Sequence, residues 1–162
     1  MKISNTRLYP ALVLLISLGA LGSAFTAQYV FGLEPCILCI YQRIPFAIAG
    51  ALALLGIMRP NMARPIMMIL VLVFVFEAGL AFYHVGVEQH WWASATGCVG
   101  GEISSNPADM LKNIQKAKIK PCDEVDWTFI GISMATWNVL FSTLLALATF
   151  VAWRVLAREN KS

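Results

Sequence analysis

The chain has 162 residues, of which 59% are apolar and only 13% charged, and its formal net charge is +3. Soluble domains carry roughly 45–50% apolar and about 25% charged residues, so this balance excludes an ordinary soluble domain and indicates an integral membrane protein of one domain. The small net charge gives no reason to expect nucleic acid as a partner, while four cysteines, an even count, fit two disulfides in an oxidising compartment.

Residues Met1 to Tyr9 form a short polar start with Lys2 and Arg7. Residues 10–31 carry no charge and are long enough to span a bilayer at about 1.5 Å per residue. The rival reading is a cleaved signal peptide, with Gly22-Ser23-Ala24 as the cleavage signal. Signal-peptide cores run to about 7–15 residues, so an uncleaved helix is expected.

The next stretch, Glu34-Pro-Cys-Ile-Leu-Cys-Ile-Tyr-Gln-Arg43, sets Cys36 and Cys39 between two apolar runs. Two thiols at this spacing can open and close one disulfide without the fold coming apart. A thiolate is the reactive form of cysteine, and a nearby cation favours it. In a helix Cys39 and Arg43 are i and i+4 and share a face. Arg59-Pro60-Asn61 ends the second span near Met58. A start at Pro45 would leave it too short for about 30 Å of hydrocarbon. A span over 39–58 is therefore expected, loosened or kinked at Pro45. The alternative, Pro45 as the first helical residue, leaves the cysteines on a loop. Either way they sit near a helix N-terminus, where the dipole favours negative charge.

A third span is expected over 65–83, interrupted by Glu77, and it is followed by His84, His90, Trp91 and Trp92. Paired tryptophans suit a membrane–water interface. A long polar loop follows, about 84–128, carrying Cys98 and Cys122. Within it, residues 107–120 place Met110, Leu111, Ile114 and Ala117 at helical spacing among four lysines. That segment either lies flat on the membrane or packs on its own domain. A fourth span is expected over 129–153. The fold class is thus all-α, a four-transmembrane-helix bundle.

Seven lysines and arginines fall in the N-terminus, the middle turn and the tail, whereas the two other loops hold Arg43 and four lysines against seven acidic residues. The positive-inside rule places both termini and the middle turn in the cytoplasm. All four cysteines then lie on the opposite, oxidising side.

Cys-x-x-Cys admits three readings. Zinc commonly takes two closely spaced ligand pairs, but Cys98 and Cys122 are far apart in sequence, although His84 and His90 could be recruited. Two inert structural disulfides are the second reading. A bridge within Cys-x-x-Cys, however, closes almost no loop and stabilises little. The third is a redox-active dithiol. Four cysteines allow three connectivities, and Cys36–Cys39 with Cys98–Cys122 is the favoured resting state. His84, just above the third span, is a candidate for the same site, and His90 is read as incidental. A carboxylate inside a span costs about 2.5–3.5 kcal/mol on insertion scales and is a functional candidate by default. Glu77 is that residue; the bland reading is an acid hydrogen-bonded to a neighbouring helix.

This order of features resembles the disulfide bond formation protein B family, DsbB: four spans, Pro-Cys-x-x-Cys-x-Tyr-x-Arg after the first, a histidine after the third, and two cysteines in the following loop. The resemblance covers nearly the whole chain. It implies an enzyme of the bacterial inner membrane that takes electrons from a periplasmic DsbA-like oxidase and passes them to a membrane quinone, ubiquinone or menaquinone, with no metal. It implies that Cys98 is the loop cysteine attacked by DsbA and that Cys122 is its partner. It likewise implies that Cys39 contacts the quinone, that Cys36 closes the bridge with it, and that Arg43, His84, Met134 and Trp137 line the quinone site. Two departures stand out. Tyr83 precedes the histidine where well-known members have an acidic residue, and the Cys98-to-Cys122 loop has its own glycine-rich turn and lysine-rich segment. A vitamin K epoxide reductase-like protein would also pair Cys-x-x-Cys with loop cysteines, but there the loop pair comes first.

DsbA lies near −120 mV and ordinary structural disulfides below about −300 mV, so oxidising DsbA with such a bridge is uphill by about 180 mV, roughly 8 kcal/mol. Either the bridges here are unusually oxidising or quinone reduction pulls the sequence forward. Reducing a quinone also takes two protons. Glu77 and His84 are i and i+7, two turns apart on one face, and Glu88 extends that face. Glu77 and His84 are therefore candidates for a proton relay.

Overall fold

The computed structural model describes residues 5–95, 120–125 and 127–159. Four long helices dominate it: α1 (Asn5–Tyr29), α2 (Ile37–Met58), α3 (Ala63–Glu88) and α4 (Met134–Glu159). A 3₁₀ turn over Pro60–Met62 joins α2 to α3. Each of the four is long and apolar enough to cross a membrane, so the expected bundle is present.

The helices form because their sequences are long, predominantly apolar runs whose backbone groups pair internally, as a bilayer demands. α1 packs mainly on α2 and α3 mainly on α4, while α2 against α3 joins the two pairs. The common core is built from Val13, Phe46, Ala49, Ala53, Ile66, Met67, Leu70, Phe74, Leu145 and Leu156. Small residues let helices approach closely in membranes. Gly56 is one: a Cβ there would stand 3.2 Å from Cβ and Cγ of Pro10, so α2 crosses α1 where α1 carries its proline. Leu15, Leu72, Phe76, Leu144 and Val151 stay exposed, as suits side chains facing lipid. The buried set, by contrast, includes Ser17, Gln42, Glu77, His84 and Ser142. The outside is apolar and part of the inside is polar.

The helix ends differ from the expected spans in ways that matter for the site. α1 begins at Asn5 rather than 10 and carries Pro10 within it. α2 begins at Ile37 and runs through Pro45, so the cysteines stand on the helix start and not on a free loop. α3 does not stop at Tyr83 but continues to Glu88, because nothing before His90 breaks it; His90 then takes a left-handed φ of 56°. His84 is therefore a helical residue, and the loop expected from 84 begins five residues later. The fourth helix starts at Met134 instead of 129. Residues Thr128–Phe129 and Ile132–Ser133 pair as a small antiparallel hairpin instead, turning through Ile130 and Gly131 with φ of 56° and 74°. Positive φ at both central residues matches the strand twist. The Ser133 hydroxyl then accepts from the Thr136 N–H at 3.2 Å and caps α4.

The start of the outer loop is pinned by aromatics. Trp92 stacks on Tyr83 with ring centroids 5.9 Å apart and donates its Nε1–H to the Tyr83 carbonyl at 3.0 Å. The Tyr83 hydroxyl accepts from the Ala95 N–H at 2.7 Å. Tyr83, the departure from the family pattern, thus anchors the loop. The segment 107–120 lies outside the described residues but for Lys120.

Candidate functional site

Cys36 caps the N-terminus of α2, with extended backbone at the helix start. Its Sγ accepts from the Cys39 N–H at 3.3 Å and donates to the Cys39 Sγ at 3.1 Å. The pair stands as a dithiol, whereas a disulfide would bring the sulfurs to about 2.05 Å. Cys36 is buried and Cys39 half-buried. The bond to Cys39 pushes the Cys36 thiol up to about 12, and burial adds to this, while a weaker contact with His84 opposes it. The proton of the pair is thereby held on Cys36.

His84 comes from α3, one turn before its end, with Nε2 at 3.5 Å from Cys36 Sγ. Glu88, one turn further, lies 4.0 Å from the same nitrogen. Its other oxygen accepts the Ser133 hydroxyl at 2.6 Å, which ties the end of α3 to the start of α4. Cys122, returning from the outer loop, is buried in one cluster with Cys36, Leu38 and Val87, against which Cys39 and Tyr83 pack. Cys122 and Glu88 also act electrostatically on Cys39. Cys122 therefore lies beside the Cys36–Cys39 pair. Cys98, and with it the expected Cys98–Cys122 pairing, lies outside the described residues.

Arg43 rises one turn after Cys39 but turns towards α1. Its Nη1 donates to Gln28 Oε1 at 2.6 Å, and its guanidinium lies 5.0 Å from the centre of the Phe25 ring. Met134 is exposed at the first turn of α4. Trp137 donates its Nε1–H to the Phe129 carbonyl at 3.0 Å and packs on that ring, so the hairpin holds its orientation. His90 stands apart in the turn after α3.

Glu77 is fully buried two turns below His84, and the two are joined by residues of other helices. Asn138 of α4 donates from Nδ2 to Glu77 Oε1 at 2.7 Å and to Gln42 Oε1 at 3.1 Å. Gln42 of α2 reaches His84 Nδ1 with its Nε2 at 3.3 Å. Ser142 donates to Asn138 Oδ1 at 3.2 Å, and the second Glu77 oxygen has no hydrogen-bond partner among the described residues. Sequence reasoning assigned no role to Gln42 or Asn138. The available signal was a carboxamide inside an apolar span, which marks a polar contact between helices. It did not reveal that the two meet.

Cys36 Sγ, Cys39 Sγ and a ring nitrogen of His84 lie within 4.8 Å of one another. These are donor types that zinc accepts, but closing the disulfide would remove two of the three. A cysteine pair that can be opened and closed has its main chemistry in exchange. Here a buried histidine faces one sulfur and a third cysteine packs beside the pair.

Comparison with known proteins gives the same picture. The family model described as Disulfide bond formation protein DsbB matches residues 6–152. The Disulfide bond formation protein B of Marinobacter nauticus is 34% identical over 153 residues, spanning 88% of this chain and 89% of its own. That of Acinetobacter baumannii is 30% identical over 152 residues, 87% and 86% of the two chains. One from Xylella fastidiosa is 33% identical over 137 residues, 80% and 79%. With four membrane-spanning helices, a dithiol at a helix start and this match over nearly its full length, the chain is a multi-pass membrane oxidoreductase of disulfide formation and belongs to the DsbB family.

Proposed function

We propose that this protein is a protein-dithiol:quinone oxidoreductase of the bacterial inner membrane. It re-oxidises a periplasmic thioredoxin-like oxidase of the DsbA kind and passes two electrons through two cysteine pairs to a membrane quinone, ubiquinone or menaquinone. The observation that carries this reading is the burial of Cys122 against Cys36 and Cys39, because exchange between two pairs needs one sulfur of each to meet. The charge asymmetry of the loops supports termini in the cytoplasm and cysteines at the periplasmic face.

A thiolate of the reduced partner attacks Cys98 of a Cys98–Cys122 bridge. A mixed disulfide forms and Cys122 leaves with the electron pair. The partner's second thiolate then displaces Cys98 and departs oxidised. Cys122, beside the second pair, attacks the Cys36–Cys39 bridge and frees one of its sulfurs as a thiolate; the Cys98 thiolate then attacks Cys122 in the resulting interpair disulfide, restoring the Cys98–Cys122 bridge and leaving Cys36 and Cys39 both reduced. The quinone, when bound, supplies a sink for two electrons and two protons.

The residues present fit such a group. Arg43 makes one side-chain hydrogen bond among the described residues, which leaves most of its five N–H donors for a quinone oxygen one turn from Cys39. Met134 and Trp137 offer an apolar wall at the start of α4, and His84 holds the inner cysteine. Glu77 and His84 belong to the same proposal as candidates for meeting the site's proton demand.

Mixing the purified protein with reduced DsbA-like oxidase and a soluble quinone, and following quinol formation, tests this. Quinone-dependent oxidation of the partner is expected. Its absence with both ubiquinone and menaquinone analogues would favour a structural membrane protein with static disulfides.

A further inference from the structure

The link between Glu77 and His84 runs through two carboxamides. A carboxamide does not hand on a proton as a water or a carboxylic acid does, but it has a donor end and an acceptor end. A chain of such groups has a direction. Here the direction is read from the bonds that Asn138 makes.

Asn138 donates from its NH₂ to Glu77 Oε1 at 2.7 Å. The Asn138 oxygen is accordingly turned to the Ser142 hydroxyl at 3.2 Å. The second hydrogen of the same NH₂ goes to Gln42 Oε1 at 3.1 Å. With its oxygen engaged, Gln42 has its NH₂ left for His84 Nδ1, at 3.3 Å. Nδ1 must then be the lone-pair nitrogen, and a neutral imidazole carries its proton on the other one. That nitrogen, Nε2, faces Cys36 Sγ at 3.5 Å.

We propose that Glu77, Asn138 and Gln42 are positioning residues that set the tautomer of His84, so that an N–H and not a bare nitrogen is presented to Cys36. The inference rests on the reading of Cys36–Cys39 as the exchanging pair. Whenever Cys36 leaves a disulfide, the S–S bond breaks, the attacking sulfur forms the new bond, and Cys36 keeps the electron pair as a thiolate. An N–H aimed at that sulfur stabilises it. A bare Nε2 would meet it lone pair to lone pair. An acid about 10 Å deeper in the bundle is thus tied, through Asn138 and Gln42, to which ring nitrogen is protonated beside the reacting sulfur. The titratable groups around the upper end of the column are Cys36 and Cys39 at the start of α2, Glu88 from α3 and Cys122 from the outer loop. Arg43 of α2 is engaged with Gln28 of α1, and α4 contributes Asn138 and Ser142, which do not titrate. No charged side chain pairs with Glu77 among the described residues.

The chain has two histidines, so His90→Gln leaves one imidazole to observe. Nitrogen NMR of histidine-labelled full-length protein in nanodiscs, in its reduced form, reports the protonation of each ring nitrogen. In the His90→Gln parent, Nδ1 is expected unprotonated and Nε2 protonated. Gln42→Glu keeps the shape but replaces the NH₂ with an acceptor, so Nδ1 should become protonated. Glu77→Gln can turn an NH₂ towards Asn138 in place of the accepting Oε1, which lets the chain reverse and should bring in a second tautomer with Nδ1–H. A protonated Nδ1 in the parent would overturn the proposal. So would a His84 tautomer unchanged in both Glu77→Gln and Asn138→Leu. The measurement uses neither quinone nor partner, so a protein with the expected tautomers that fails to reduce quinone would refute the proposed function without touching the tautomer assignment.

Discussion

Asn138→Leu should be the most costly single change in the polar column. Leucine removes three hydrogen bonds at once: to Glu77 at 2.7 Å, to Gln42 at 3.1 Å and from Ser142 at 3.2 Å. Side-chain hydrogen bonds between membrane helices average about 0.6 kcal/mol and reach about 1.7 in double-mutant cycles. The Glu77 bond belongs at the upper end, because it is short and the other carboxyl oxygen has no partner among the described residues. Together the three give a loss of about 3 kcal/mol. Glu77→Leu removes the acid and orphans one Asn138 hydrogen, at about 1–2 kcal/mol. With both residues apolar neither leaves the other unpaired, and replacing both partners of a bond can be nearly neutral. The double variant should therefore be less destabilised than the two single losses predict, by about 1.5 kcal/mol. Reversible unfolding of the four proteins in mixed micelles measures this coupling. A coupling of zero within about 0.3 kcal/mol would show that Asn138 and Glu77 do not bond, and with them the direction of the whole column would fall.

Other changes separate the roles within the site. Cys98→Ser should abolish oxidation of the partner while the Cys36–Cys39 pair still reacts with added quinone; oxidation of the partner at the unaltered rate would refute Cys98 as the entry point. Arg43→Lys keeps the charge but loses the planar donor fork and should raise the apparent KM for quinone several-fold with little change in stability. An unchanged KM in Arg43→Ala would exclude the role. The raised Cys36 thiol sets a pH order of reaction: a thiol held at about 12 supplies little thiolate at pH 8 and more as pH rises. In the reduced protein iodoacetamide should therefore modify Cys39 well before Cys36 at pH 8, and equal rates there would contradict the assignment of the shared proton to Cys36.

Composition and pattern alone determined a good deal. Long uncharged runs can only be helices in a bilayer, since backbone groups there must pair internally, and this made the four spans and their order legible. The Cys-x-x-Cys stretch, Arg43 at its i+4 position and the buried Glu77 were legible because each is a local pattern or a costly exception to an apolar run. Helix ends were less so. α3 runs on to Glu88 and α4 waits for a hairpin, and both depend on turn geometry at His90, Ile130 and Gly131, where a left-handed bend of one or two residues leaves little trace in hydropathy. What tertiary structure alone decided is which polar groups meet. Gln42 and Asn138 are 96 residues apart and Cys36 and His84 are 48 apart. Nothing in their sequence spacing brings them together. They meet because α2, α3 and α4 pack around one interior, and there a polar group without water must find its partner on another helix.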